Sequence, residues 1–226
     1  MQRNQSGFTL IEIAIVLVII GLLLGGVLKG QELINSAKVK NLANDFKNVP
    51  VFIYGYQDKY KALPGDQPQA SLDSQFPPAN TGTACTPALA SHCITNNGVI
   101  DGGWDATGVA DESFVFWQHV RLAGFGPGAT STAAPDYLPK NAVNGLIGVT
   151  NAAQSPITGM KGTYIVCSNA IPGKFAKQLD TTLDDGSTAT GSVMVVPAGT
   201  PTSTPVPPLA TSLIVDDTTY LVCMGY

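Results

Sequence analysis

Histidine is nearly missing from this chain: His92 and His119 are the only two among 226 residues. They lack ligand spacing, and there is no His-Glu-x-x-His, so no zinc site can be read. A Gly-x-Ser-x-Gly elbow, a phosphate loop and a dinucleotide fingerprint are also lacking, and with them any catalytic constellation. Charge is scarce at 12% of residues, and it is unevenly placed. Residues 1–61 carry seven Lys/Arg against four Asp/Glu, whereas residues 62–226 carry five against twelve. The acidic part lacks the clustered cations of generic phosphate-backbone binding, which argues against nucleic acid as a partner. The four cysteines all lie beyond residue 84. An even count of this kind favours two disulfides in an oxidising compartment over thiol chemistry.

Long apolar runs are concentrated in one place. After a short polar leader holding Arg3, residues 8–28 are almost unbroken hydrocarbon, about the length needed to cross a bilayer. No small-x-small cleavage site follows at Gly25, Gly26 or Gly30, so the ordinary secretory reading is not favoured. Arg3 keeps the amino side cytoplasmic and sends the remainder across. One carboxylate, Glu12, sits inside the run, where an ionised group costs roughly 2.5–3.5 kcal/mol even on a lenient insertion scale.

Helical periodicity continues past the run. Leu33, Ile34, Ala37, Leu42, Phe46, Val49, Ile53, Tyr56 and Tyr60 recur on one face, with Lys38, Lys40, Asn44, Lys47 and Asp58 on the others. Pro50 is expected to kink the helix, and Leu63-Pro64-Gly65-Asp66 to end it. A single helix from residue 8 to about 61 would be ~80 Å long. Half of it would need apolar partners outside its own chain.

The run Gly7-Phe8-Thr9-Leu10-Ile11-Glu12 resembles the prepilin peptidase recognition sequence of type IV pilins and type II secretion pseudopilins. The short leader, the glycine before the cut, the phenylalanine after it and the glutamate four residues on all agree in register. The resemblance covers roughly the first quarter of the chain. It implies removal of residues 1–7 between Gly7 and Phe8, and N-methylation of Phe8. The new Phe8 amine of one subunit would then pair with Glu12 of a neighbour and set filament register. The implied fold is α+β: a long N-terminal stem helix (residues 8–63), its first half transmembrane, packed on a small antiparallel β-sheet head (residues 64–226) with long loops and disulfides. The implied function is a structural, non-enzymatic subunit of a type IV pilus-like filament, with no cofactor and no metal. Its partners would be copies of itself and other pilins, prepilin peptidase/methyltransferase, an inner-membrane assembly platform and the inner membrane before assembly. A pseudopilin of type II secretion, or a minor pilin whose head captures a surface or DNA, is the alternative. Either way the precursor belongs in the bacterial inner membrane, and the mature subunit in an extracellular pilus or a periplasm-spanning pseudopilus. One departure is that many pilins have proline near the position of Lys29, where this chain relies on Gly25, Gly26 and Gly30 to weaken the helix.

The rest is loop-rich. Residues 64–78 read as a Pro/Gly surface loop, and Asn96-Asn97-Gly98 and Asp101-Gly102-Gly103 as tight turns. Asp111-Glu112-Ser113 opens a short helix at 114–123, closed by Gly124. His119 is expected at its side, partly exposed, and His92 without a partner. Residues 124–162 show little pattern. Residues 162–167 and 219–223 read as strands, 192–196 as a third and 212–215 as a fourth, with a helix at 172–179. Asp184-Asp185-Gly186 and Asp216-Asp217 read as acidic turns, lacking the ligand spacing of a calcium loop. Residues 197–208 read as an exposed, poorly ordered tract. Four cysteines allow three connectivities. The Tyr-x-Val-Cys echo favours Cys167 with Cys223, which leaves Cys85 with Cys93.

Overall fold

Apolar residues at helical spacing build one element, α1, over Leu10–Tyr60 in the computed structural model, which describes residues 9–78, 80–86 and 92–226. The chain divides into two compact units, Met1–Lys38 and Val39–Tyr226. In the first, every side chain described from Thr9 to Lys29 is exposed. In the second, α1 turns a stripe of Leu42, Phe46, Val49, Ile53 and Tyr56 inward, all but wholly buried.

Pro50 does not end the helix. A proline lacks the N–H that would bond the carbonyl four residues back, here that of Phe46. Tyr226 Oη donates to Phe46 O at 2.7 Å instead, so the freed acceptor is satisfied and α1 continues.

Beyond α1 come α2 (Gln69–Gln75), α3 (Glu112–Leu122), β1 (Ile147–Thr150), β2 (Ile165–Pro172), α4 (Gly173–Leu183), β3 (Val193–Pro197) and β4 (Thr219–Gly225). The strands form one antiparallel sheet in the order β1-β2-β4-β3. Alternation along β2 and β4 decides the two faces. Val166, Tyr220 and Val222 join the core with α1, α3 and α4 residues, while Ile165, Cys167, Leu221 and Cys223 join a second cluster under Trp104, Ile157 and Met160. The fold is therefore α+β and pilin-like: a long N-terminal helix with an apolar stretch, then a small four-stranded sheet and two disulfides.

Three readings of the sequence need correction. The fourth strand is not 212–215, which is a 3-10 turn at Thr211–Leu213; it is β1, within a segment that read as patternless. Four residues containing a glycine carry little strand signal, but Gly148 is required because a Cβ there would run into the Trp104 carbonyl. The post-helix loop holds α2, whose Leu72 packs with Tyr56 and Phe76. The Pro/Thr tract is pinned rather than loose: Val206 bridges Ile157 in parallel, and Trp104 Nε1 donates to Thr200 O at 3.2 Å.

Helix α3 organises the loops. Ser113 Oγ donates to Gly103 O at 2.8 Å. Gln118 accepts from Thr83 N at 2.7 Å and donates to Thr130 O at 2.9 Å. Arg121 donates to the carbonyls of Pro127, Ala129 and Tyr137 at 2.6–2.9 Å. All three side chains are buried, so these bonds also meet their need for partners.

Candidate functional site

A helix starting in a polar-to-apolar transition needs its first N–H groups satisfied, and the start of α1 does this with two side chains. Glu12 Oε2 accepts from Thr9 N at 2.8 Å and from Thr9 Oγ1 at 2.8 Å. Thr9 Oγ1 in turn accepts from Glu12 N at 3.4 Å. Thr9 lies just before the first helical residue and Glu12 three positions on, the reciprocal arrangement of a capping box. The Thr-x-x-Glu spacing is itself the sequence signal for this cap. Among the described residues Glu12 Oε1 takes no hydrogen bond. The processing positions Gly7 and Phe8 lie outside the described residues.

The segment that follows is apolar and uncovered. From Leu10 to Leu28 the large aliphatic side chains are between 46% and 94% exposed. The helix is long and apolar enough to cross a membrane. Burying one such side chain is worth about 1.5–3 kcal/mol, so a surface of this extent needs a cover.

The cysteines form two bridges, Cys85–Cys93 and Cys167–Cys223. The second joins directly opposed residues of β2 and β4, with Cα atoms 4.1 Å apart. Glu112 lies close to the first, its Oε1 3.7 Å from Cys85 Sγ. Those two sulfurs and that carboxylate are the metal-type group that comes together among the described residues. Both sulfurs are consumed by the bridge, so no thiolate remains to bind an ion.

Both histidines are placed differently from the sequence expectation. His119 is fully buried on α3. Its Nδ1 accepts from Gly65 N at 2.9 Å, which makes Nε2 the protonated nitrogen, 3.0 Å from Thr83 O. Burial pushes the imidazole down to about 4, so it is neutral at pH 7 and acts as a two-ended tie between loops. His92 has a partner after all, with Nδ1 2.8 Å from Asp111 Oδ1. Glu112 is fully buried too. It accepts from Asp101 N at 2.9 Å, and burial, reinforced by Asp66 and Asp101, pushes it up to about 8. Asp66 accepts from Asn97 N and Gly98 N, at 3.1 and 2.8 Å, and shapes that turn. Each of these groups ties one loop to another.

A family model described as the prokaryotic N-terminal methylation motif matches residues 2–28. Comparison with curated proteins and with solved structures returned no match.

Proposed function

We propose that this chain, a type IV pilin-like or pseudopilin subunit by its N-terminal motif, is a structural subunit of a type IV pilus-like filament. The observation that carries the reading is the uncovered apolar helix beginning at Leu10, directly behind the motif. In the precursor the bilayer covers it. In the assembly the stems of neighbouring subunits do, and the apolar area withdrawn from solvent or lipid holds the bundle together.

Cleavage between Gly7 and Phe8 removes residues 1–7 and exposes a new α-amine, which is methylated. In the bundle that amine and the Glu12 carboxylate of a neighbour relieve one another. Removing one partner of such a buried pair typically costs about 3–5 kcal/mol, so the pair selects axial register. The capping bonds in this chain use Glu12 Oε2, and Oε1 is the oxygen for the incoming amine. The motif points to a structural subunit rather than an enzyme, processed by prepilin peptidase. The head, residues 64–226, is extracytoplasmic, which suits its two bridges.

The test is to shear cell-surface filaments and determine the first residue of this chain by mass spectrometry. The expected species is abundant and begins at N-methylated Phe8. Recovery only in the cell envelope would assign the chain to a pseudopilus, and an intact residue 1–7 leader in assembled material would overturn the processing scheme.

A further inference from the structure

Two cavities of the Val39–Tyr226 unit share Asp45, Asn48 and Lys140. The inner one, about 200 Å³, is walled by Val49 and Phe52 of α1, Trp117 and Val120 of α3, and Ile147 of β1. The outer one, about 440 Å³, runs along α1 past Asn41, Asn44 and Asn48. Asp45 stands where they meet.

Three features single out this cleft. Asparagine is a poor helix former, yet α1 places three of them at positions 41, 44 and 48, along one face. The three asparagines are exposed, with amides free to meet a ligand, and Asp45, half-buried beside them, takes neither a hydrogen bond nor an ion pair among the described residues. Asn141 across the groove is different: its side chain is saturated by Ser168, Asn169, Val143 and Gly145, so it is part of the wall. Finally, Asp45 is half-buried and burial alone pushes its carboxyl up to about 6, with no cation relieving it. The cations that line the cleft are otherwise engaged or turned to solvent. Arg121 is committed to three backbone carbonyls, and Lys140 is exposed.

We infer that this cleft is a binding site for a small organic ammonium ion with an aromatic or alkyl body. The ammonium group would sit on Asp45 and donate to the side-chain oxygens of Asn44 and Asn48, while the body fills the inner cavity against Phe52 and Trp117. An unpaired carboxylate at the mouth of an apolar pocket selects charge and shape together, because an ammonium is the partner it lacks.

The probes are 2-phenylethylamine and its neutral counterpart 2-phenylethanol, titrated calorimetrically into the full chain in a neutral detergent. At a pH about 1.5 units above the Asp45 value, the amine should bind at least about tenfold more tightly than the alcohol. Asp45→Asn should erase that preference, while Asp58→Asn, an exposed control on the same helix, should keep it. Lowering the pH to about 5 should erase it as well, since Asp45 then gains a proton. Equal affinities for amine and alcohol in the unaltered chain would overturn the inference. So would a preference that survives Asp45→Asn, or no saturable amine binding below about 10 mM.

Discussion

Replacing Glu112 by glutamine should change how the head responds to pH. Glu112 is fully buried and pushed up to about 8, whereas an unfolded glutamate titrates near 4.3. Between those values the folded chain holds a proton that the unfolded chain has lost, so stability falls as pH rises, by about 1.4 kcal/mol per pH unit. Above about 8 the effect levels off. At lower pH His119 opposes it. Pushed down to about 4 from about 6.5 unfolded, it adds stability with rising pH across that window. Asp45 and Asp180, both raised to about 6 by burial, act with Glu112 and have finished titrating by about pH 7. The interval from pH 7 to 8 therefore isolates Glu112, with a loss of roughly 1 kcal/mol. Glutamine preserves the acceptor for Asp101 N but has no proton to lose. Denaturant unfolding in neutral detergent, followed by tryptophan fluorescence, should show the loss in the natural chain and a nearly flat response in Glu112→Gln. Parallel slopes for the two proteins would refute the assignment of a buried, protonated Glu112.

Other outcomes follow from the same structure. Thr9→Val should weaken the start of α1 by about 1 kcal/mol, seen as faster amide exchange over the first helical turn, whereas Glu12→Gln keeps an oxygen that accepts from Thr9 N and should leave it nearly unchanged. Glu12→Gln should instead lower filament yield, because it removes the charge of the proposed register pair; an unchanged yield would leave Glu12 a cap and nothing more. Phe46→Ala should cost the head about 3–5 kcal/mol by opening a cavity beneath α1, measured by chemical denaturation. Replacing Cys167 and Cys223 by serine should cost about 4 kcal/mol for a separation of 56 residues, against about 2.5 kcal/mol for Cys85 and Cys93 at a separation of 8. A reversal of that order in thermal melts would show that loop closure is not the governing term.

The parts of the fold that could be read from the sequence are those with strong period or chemistry. The Leu10–Tyr60 helix follows from its apolar spacing, and the strands around Cys167 and Cys223 from their β-branched and aromatic runs. β1 could not be read, because a four-residue strand with Gly148 at its centre shows neither alternation nor propensity, and its glycine answers to the Trp104 backbone instead. His119 misled for a related reason. Its neighbours on α3 look like an ordinary amphipathic turn, and the loops that bury it come from residues 65 and 83, far away in sequence. That α1 runs through Pro50 with the Phe46 carbonyl satisfied could not be read locally, because the donor is Tyr226, 180 positions from Phe46. At the start of α1 the local chemistry is sufficient: a threonine three residues before a glutamate states its own capping bonds. The cleft at Asp45 needed the tertiary structure, since its walls come from α1, α3 and β1.

The ties made by α3 are almost all to backbone atoms: Gly65 N, Thr83 N and O, Asp101 N, Gly103 O, Pro127 O, Ala129 O and Thr130 O. A peptide group offers the same donor and acceptor whatever side chain it carries. Apart from Gly65 and Gly103, where a Cβ would run into Glu112 O and Asp105, the loops are thus fastened at points that do not read their sequence. A loop region built this way can change its surface, residue by residue, without renegotiating the core beneath α3.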